Sequence, residues 1–533
     1  METLGGAPVL QFLFFKRGDM KLNRRCLFFA LAMLLSMPVA YTGSQALPFK
    51  DALLFPRDAF TVETKTVRTS SGERKVTYRS YLHIPYVANP VDKDYQSLNV
   101  SVPTKVDDTI VDASNAPILF IIGVGGYMSS NNARGGMGGF PGMPPGIAGP
   151  PGVGKMSPPL GMGGPPGANS RVSGNMDLAL AAGYVVVSPG CRGRDNKAAD
   201  NTFYGKAPAA IVDLKAAVRY LRHNKGIMPG DVNRIISTGG SAGGALSALL
   251  GASGNSRIYD SYLKAIGAAD ADDSIFASAC FCPITDLEHA DMAYEWMYGG
   301  TPFRSGLVNQ ELSKQLTNAF IKYQASLKLK GKNGFGKIKA DNYAKYLVQT
   351  YLIPSANQYL RGLTDEKRKE YLANNKWITW TDKGAAFAFA DYVAHVGRMK
   401  GLPAFDDFDM KQPETILFGN KTVDARHFTD FSLQQATGNK SARIDSDLQA
   451  VVNMMNPMHF IKRNNRDCAK YWWIRHGTSD NHTSLSVIIN LAESLENRNK
   501  DVNTRLYWDA GHGADNDPED FISWIGKIAG SKN

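Results

Sequence analysis

A serine framed by glycines is the clearest candidate for chemistry in this sequence. Residues 239–243 read Gly-Gly-Ser-Ala-Gly, after an apolar run typical of a strand and before a run typical of a helix. Such a sharp strand-to-helix turn strains the backbone of Ser241 and exposes its hydroxyl as a nucleophile. Gly239 and Gly243 fit this interpretation, because side chains there would collide. The chain has 52 glycines, so the prediction depends on the flanking strand and helix.

A serine nucleophile needs an imidazole to take its proton and a carboxylate to orient that imidazole. After this kind of turn, the acid and then the histidine follow in loops behind late strands. Asp480 follows one apolar strand, and His512, flanked by glycines, follows the next. We therefore predict Ser241, Asp480 and His512 as catalytic residues. Asp509 and Asp515 are the alternative acids, but they share the loop of the histidine.

Attack on an ester carbonyl creates an oxyanion, which needs N–H donors already in place. The turn itself supplies the N–H of Ala242. A second donor is expected from Gly125 or Gly126, which follow the apolar strand predicted at residues 117–122. The absence of a side chain would let either backbone approach the oxyanion, so both glycines stay open as candidates.

Other ligand-type residues give weaker candidates. Asp286, Glu288, His289 and Asp291 follow a strand predicted at residues 277–284. They lack HExxH spacing and a second cluster, so a capping or hinge role is predicted for them. We expect no metal and no cofactor.

Charge and cysteine content also exclude several functions. The formal net charge is +11, but no Lys/Arg run is interleaved with aromatic residues, so nucleic-acid binding is not expected. The cysteines beyond residue 46 match no zinc spacing. Cys280 and Cys282 alternate on a predicted strand, which favours buried thiols on one face over a mutual disulfide. The others are Cys191 and Cys468.

The order of the predicted elements indicates how these residues are positioned. A hairpin is predicted at residues 60–88, and apolar strands then alternate with amphipathic helices, which predicts a doubly wound, mostly parallel sheet. With the turn at Ser241, this pattern favours the α/β-hydrolase fold. The later strands are predicted at 182–189, 277–284, 471–475 and 504–508, and the helices at 209–222, 484–497 and 518–529.

Residues 1–46 have the pattern of a signal peptide. Lys21, Arg24 and Arg25 precede a short apolar run, and small residues at 44–46 offer a cleavage site. The run is too short to span a bilayer, so we expect export to the periplasm or medium, with no stable membrane anchor after cleavage.

The rest of the chain divides by composition. Residues 47–284 and 459–533 are predicted as two parts of the hydrolase domain, and residues 285–458 as a mainly helical cap inserted before the last strands. Helices are predicted there at 311–329, 340–352, 365–374 and 387–400. Residues 134–170 are rich in Gly, Pro and Met without core periodicity, which predicts a flexible insert.

Several motifs together resemble the bacterial tannases. They are GGSAGGALSALLGASGN around Ser241, the runs at 281–296 and 398–406, and the block HGTSD ending at Asp480. The resemblance extends from about residue 60 to the carboxyl terminus, without residues 134–170. It implies an α/β-hydrolase-fold serine esterase that cleaves galloyl esters, with a large cap and with Ser241, Asp480 and His512 as catalytic residues.

The resemblance also implies contacts with the galloyl ring. A lysine and a glutamate fourteen residues apart bind its hydroxyls, and Lys400 and Glu414 match them. The family has an aspartate two residues beyond the catalytic one, where this chain has His482. A neutral imidazole accepts a phenol hydrogen bond but supplies no fixed negative charge, which would shift preference towards other phenolic esters.

The sequence thus predicts an exported serine esterase whose partner is a small phenolic ester, most simply a galloyl ester. A feruloyl or general carboxylesterase is the alternative among hydrolases. A non-catalytic binding protein that kept the fold is the alternative from another class.

Overall fold

The computed structural model describes residues 53–131 and 173–530. The predicted signal peptide and the predicted insert at 134–170 lie outside the described residues. The strands are β1 (Thr61–Thr69), β2 (Gly72–Pro85), β3 (Ser97–Val106), β4 (Thr109–Ile110), β5 (Ile118–Ile122), β6 (Val185–Pro189), β7 (Ile235–Gly240), β8 (Ala277–Phe281), β9 (Lys330–Gly331), β10 (Gly336–Lys337), β11 (Thr379–Thr381), β12 (Gly384–Ala386), β13 (Tyr471–Gly477) and β14 (Asp501–Tyr507).

The first helices flank the strands up to β8, and most of the others lie between β8 and β13. They are α1 (Asn175–Ala181), α2 (Ala209–His223), α3 (Ala242–Ala252), α4 (Asp260–Ala265), α5 (Leu287–Tyr298), α6 (Gln310–Ser326), α7 (Ala340–Leu347), α8 (Ile353–Gly362), α9 (Asp365–Asn374), α10 (Phe389–Val396), α11 (Pro413–Leu417), α12 (Asp430–Thr437), α13 (Ser446–Met454), α14 (Pro457–Lys462), α15 (Leu485–Glu496) and α16 (Pro518–Ala529). A 3₁₀ turn (Arg257–Tyr259) precedes α4, and a π-helical turn (Val348–Leu352) joins α7 to α8.

One mostly parallel sheet organises the described residues. Its strands lie in the order β1-β2-β3-β6-β5-β7-β8-β13-β14, and β4 pairs with β3. The strands from β6 to β14 in this order are parallel, while β1, β2 and β3 are antiparallel. The carboxyl ends of β5, β7, β8, β13 and β14 therefore lie along one edge of the sheet, where the candidate loops begin.

The two faces of the sheet bury two different cores. In β5, Ile118 and Phe120 belong to the core under α2, α3 and α15, whereas Leu119 belongs to the core under α1 and α16. Strands covered on both faces are mostly apolar, which is why the sequence predicted them. The larger core continues into the helices between β8 and β13. Of these helices, α6, α7, α9 and α10 lie where the sequence predicted helices for the cap. The domain boundaries of that cap stay a prediction.

One predicted strand is shorter than expected. β8 ends at Phe281, and Cys282 has a φ of 45°, a left-handed conformation that breaks the alternation of the strand. Cys280 packs in the larger core, whereas Cys282 packs against Tyr507 and Ala514. The prediction that both thiols share a face is therefore wrong. Both thiols are buried and free, as are Cys191 and Cys468.

No helix in the described part of the chain combines the length and the apolar composition needed to cross a bilayer.

Candidate active site

The turn around Ser241 joins β7 directly to α3. Ser241 has φ 56° and ψ −123°, a backbone conformation that residues other than glycine rarely adopt. A Cβ atom on Gly239 would lie 2.5 Å from the backbone of Gly243, and one on Gly243 would lie 2.8 Å from the carbonyl oxygen of Ile122. The close packing of these backbones therefore requires both glycines.

Asp480 and His512 meet above the end of β13. His512 Nδ1 lies 2.9 Å from Asp480 Oδ2, and the N–H of His482 donates to Asp480 Oδ1 at 3.0 Å. Burial raises the pKa of Asp480, but the imidazoles of His476 and His512 outweigh it and hold this pKa below its usual range. The carboxylate stays ionised, so Nδ1 of His512 must be the donor and Nε2 is left to accept a proton.

The alternative acids have other partners. Asp509 accepts hydrogen bonds from His395 Nε2 at 2.9 Å, from the Tyr371 hydroxyl and from Ser479 Oγ at 3.2 Å. Asp515 accepts one from Asn175 Nδ2 at 2.8 Å. Of the three aspartates considered from the sequence, Asp480 is the one that contacts His512.

Ser241 lies at the same edge as this pair. The N–H of Ser241 donates to Phe281 O at 2.9 Å. Cys282, which follows Phe281, packs against Ala514 in the loop of His512. Within the described residues the Ser241 hydroxyl makes no hydrogen bond, so it is not yet bonded to the imidazole of His512. Nucleophile–base bonds are often long without substrate and tighten when it binds.

The candidate oxyanion donors lie beside the serine. The N–H of Gly243 donates to Val124 O at 2.9 Å, which fixes the loop after β5 against the start of α3. Ala242 is the first residue of α3, where an N–H has no partner inside the helix. Neither Gly125 N–H nor Gly126 N–H donates to another residue in the described ranges. The structure places the loop that contains both glycines against the start of α3 and leaves the choice between them open.

Glu414 is buried and Lys400 is half-buried, and neither side chain forms a hydrogen bond with another described residue. Lys400 Nζ lies 3.6 Å from the centre of the Phe405 ring, and Glu414 Oε2 is buried without a hydrogen bond. Neither side chain joins an ion pair in the part of the chain that is described. Burial lowers the pKa of Lys400, against the opposing charges of Glu414, Asp291 and Asp480. Polar groups left unsatisfied in this way are available to a polar ligand.

His482 lies directly beside the candidate base. Its ring is stacked on that of His512, with centroids 4.1 Å apart and planes 11° apart. Burial and the neighbouring His512 lower the pKa of His482 to about 4, so it is neutral near pH 7. His482, which the sequence predicts to contact the galloyl ring, therefore also packs against one face of the His512 imidazole.

Two groups of ligand-type residues lie near this site. Cys282, His476 and Asp480 place ligand atoms within 4.8 Å of one another, the spacing a metal could use. Asp480 is already engaged by His512, and burial raises the pKa of the Cys282 thiol, which keeps it protonated. The cluster after β8 does not converge on a point. Asp286 accepts from His289 Nδ1 at 2.7 Å, whereas Asp291 accepts from the N–H of Phe405 at 2.7 Å.

Sequence reasoning missed a tyrosine that links the parts of the site. The Tyr294 hydroxyl, on α5, donates to Asn481 O at 3.0 Å and accepts from the N–H groups of Met399 and Lys400. It therefore joins the loop of Asp480 to the segment of Lys400. A tyrosine in an aromatic-rich helix is usually interpreted as core, and only the motif at 281–296 drew attention to this helix.

Comparisons with known proteins identify the family. A crystal structure of Fusobacterium nucleatum tannase is 37% identical, with a TM-score of 0.73 over 90% of this chain and 99% of that chain. A tannase from Lactobacillus plantarum is 33% identical, with the same TM-score and coverage. This chain belongs to the tannase family. The family model BD-FAE also matches residues 167–322.

A curated relative matches a much shorter part of the chain. Esterase LipQ of Mycobacterium tuberculosis is 39% identical over 90 residues, which are 17% of this chain and 20% of LipQ. The chain thus spans about a fifth of that relative. Together with the tannase structures, these matches identify an α/β-hydrolase fold and a hydrolase that acts on esters, as predicted.

Proposed function

We propose that this tannase-family hydrolase is a serine esterase for galloyl and related phenolic esters, acting through an acyl-enzyme on Ser241. The observation that supports it most is the 2.9 Å contact between His512 Nδ1 and Asp480 Oδ2, at the sheet edge where β7 turns sharply at Ser241. These are the three side chains that activation of a serine hydroxyl requires.

In the first half-reaction, Ser241 Oγ attacks the ester carbonyl carbon while His512 Nε2 takes the hydroxyl proton. The oxyanion accepts hydrogen bonds from Ala242 N–H and from Gly125 or Gly126 N–H, and Asp480 stabilises the imidazolium. The C–O bond to the alcohol then breaks, and the imidazolium gives its proton to the departing oxygen. The acyl group remains on Ser241.

In the second half-reaction, water replaces the alcohol. His512 takes a proton from the water as it attacks the acyl carbon, and the same N–H groups hold the new oxyanion. The bond to Ser241 Oγ breaks, the serine regains its proton from His512, and the free phenolic acid leaves.

The acyl group is proposed from two polar side chains that form no ion pair with any described residue. Lys400 and Glu414 would bind ring hydroxyls, with neutral His482 as an acceptor beside them. Tannin acyl hydrolases of this fold, 33% and 34% identical to this chain, have been crystallised with ethyl gallate and with 3,4-dihydroxybenzoate. Galloyl esters are therefore the first substrates to test.

The test uses the chain from residue 47 and its Ser241→Ala variant, with methyl gallate, methyl ferulate and 4-nitrophenyl acetate. We expect turnover of methyl gallate that the variant loses. Ferulate cleaved faster than gallate would favour a feruloyl esterase, and acetate cleaved without gallate would favour a general carboxylesterase. No turnover of any ester would favour a binding protein, and an active Ser241→Ala variant would contradict the acyl-enzyme.

Export is part of the proposal and has its own test. The full chain, expressed in a Gram-negative bacterium, should yield protein in the periplasm or medium whose mass corresponds to a start at Leu47. Full-length protein retained in the cytoplasm would contradict it.

A further inference from the structure

The turn that carries the candidate oxyanion donors has an unfavourable conformation. Met128 N–H donates to Gly125 O at 3.0 Å, and the two residues between them have φ values of 55° and 57°. This is the pattern of a type I′ turn, which suits Gly126 but places Tyr127 in the left-handed region. In the related type II′ turn, the peptide between residues 126 and 127 is rotated and the second residue has a negative φ. Tyr127 by itself would favour that alternative.

Arg194 holds the peptide whose rotation would convert the type I′ turn into the type II′ turn. Its Nε donates to Gly126 O at 2.7 Å, and its backbone N–H donates to Tyr127 O at 2.9 Å. The first of these carbonyls belongs to the central peptide of the turn. The Tyr127 hydroxyl adds a second anchor, because it donates to Ile284 O at 2.7 Å.

Arg194 is itself fixed by contacts that do not involve its guanidinium. Cys191 and Ser130 exchange two backbone hydrogen bonds, and the Asp195 carboxylate accepts from both the N–H and the hydroxyl of Ser129. Lys206 Nζ donates to Arg194 O at 2.9 Å. Removing only the guanidinium should therefore leave this segment in place.

The guanidinium of Arg194 is not half of an ion pair with any residue that the structure describes. Its neighbour Arg192 is paired with buried Asp213 through Nη2 at 2.8 Å and Nε at 2.9 Å. Arg194 forms no ion pair among the described residues, although it is half-buried beside the site. Its direct side-chain bond there is the one to Gly126 O.

We propose that Arg194 is a positioning residue that holds the turn from Gly125 to Met128 in this conformation and so keeps the neighbouring N–H groups of Gly125 and Gly126, the candidate oxyanion donors, in place. This inference rests on the proposed function, because it assumes that the turn faces an oxyanion. Donors that must first reorganise stabilise a transition state less than donors already in place. The loss should therefore affect the chemical step rather than substrate binding.

The first test compares Arg194→Met with Arg222→Met. Arg222 is also half-buried and also donates to a backbone carbonyl, Ser274 O at 2.8 Å, but near the end of α2 and away from the turn. With methyl gallate, Arg194→Met should lower kcat by about 10- to 100-fold and change KM by less than about threefold. Arg222→Met should leave kcat within about threefold. Thermal unfolding should show that both variants are folded.

A second readout separates positioning from general damage. Phenylboronic acid binds a serine enzyme when Oγ forms a bond to boron and the hydroxyl proton passes to the histidine, which leaves a tetrahedral anion. Its inhibition constant should rise in Arg194→Met about as much as kcat falls, while that of gallic acid stays within about threefold. Guanidinium ion at tens of millimolar should restore part of the activity of Arg194→Ala.

The outcomes distinguish this inference from the function on which it rests. If Ser241→Ala is inactive but Arg194→Met has unchanged kcat, the inference is wrong and the proposed function stands. Equal weakening of boronate and gallate, or an equal loss in Arg222→Met, would also overturn it. An active Ser241→Ala variant would instead contradict the proposed function.

Discussion

Three imidazoles surround the single carboxylate of Asp480. His512 is hydrogen-bonded to it, while His476 Nδ1 lies 3.4 Å away and His482 is stacked on His512. Burial lowers the pKa of both His476 and His482, so neither carries charge near pH 7. The negative charge of Asp480 is therefore left to stabilise an imidazolium at His512 during turnover.

The pairing of Asp480 with His512 can be tested against the neighbouring aspartate. Asp480→Asn should lower kcat for methyl gallate by about 10⁴-fold, because an amide orients the wrong tautomer of the histidine. Asp509→Asn, in the loop of His512 itself, should retain kcat within about tenfold, since Asp509 contacts His395, Tyr371 and Ser479. Steady-state kinetics measure both, and a larger loss in Asp509→Asn would identify the wrong acid.

Lys400 and Glu414 should distinguish substrates by their rings. Lys400→Met and Glu414→Gln should each lower kcat/KM for methyl gallate by about 10- to 100-fold, the effect of losing a hydrogen bond to a charged group. With 4-nitrophenyl acetate, which has no ring hydroxyls on its acyl side, the change should stay within about threefold. Lys411→Met is the matched control, because Lys411 is exposed and paired with Asp409. Equal losses on both esters would remove the ring-binding assignment.

At the scale of elements, α5 supports the segment that carries Lys400. Glu295 on this helix forms a buried ion pair with Arg398, whose Nη1 lies 2.9 Å from Glu295 Oε2. Asp291 accepts the N–H groups of Phe405 and Asp406, at 2.7 and 3.1 Å. Because α5 begins only a short loop after β8, these contacts tie the Lys400 segment to the sheet.

Tyr294→Phe tests that link. The variant loses a hydroxyl that joins Asn481 O to the N–H groups of Met399 and Lys400. We expect KM for methyl gallate to rise more than about fivefold, with a free energy of unfolding lowered by about 1–3 kcal/mol. Tyr259→Phe, which loses a buried bond to Met454 O, is the control and should lower stability alone. An unchanged KM in Tyr294→Phe would show that the link does not position Lys400.

The sequence allowed some elements to be predicted and concealed others, for physical reasons. β5 is apolar on both faces, β6 is mostly so, and β13 begins with the apolar run Tyr-Trp-Trp-Ile, so these strands were predicted close to their observed positions. β3 was not predicted, because its polar residues and Pro103 obscure the alternation, and its pairing with β2 shifts register near Tyr78.

The same limit applies within the candidate site. Motifs and their order gave Ser241, Asp480 and His512, since a reaction constrains the types and order of the residues that perform it. Arg194 and Tyr294 were not found, because they act through backbone groups of segments distant in the sequence. Such contacts depend on the folded geometry and leave no spacing pattern.

On the scale of the whole molecule, the larger core continues from the sheet into the helices between β8 and β13, and polar groups are buried along this path. Asp291 lies within it, 4% exposed. Glu493 on α15 is also buried there and accepts hydrogen bonds from the hydroxyls of Tyr346, at 2.6 Å, and Tyr351. Buried carboxylates give such a core a dependence on pH.

That dependence has a definite sign. Burial, and then the neighbouring Asp406, raise the pKa of Asp291 from 3.8 to about 7. The folded protein therefore binds a proton at Asp291 that the unfolded chain has already lost between about pH 4 and 7. The stabilisation is complete below pH 4 and is lost as the pH rises through 7. Burial raises the pKa of Glu493 as well, so its contribution has the same sign.

Urea unfolding of the chain from residue 47, measured from pH 4 to 8, tests this dependence. We expect Asp291→Asn to make the free energy of unfolding fall less steeply with pH than in the parent chain, even if the variant is less stable throughout, because asparagine does not titrate. Glu493→Gln, on a different helix, should flatten the curve further when the two substitutions are combined. An Asp291→Asn curve parallel to that of the parent would show that this carboxyl does not control the pH response.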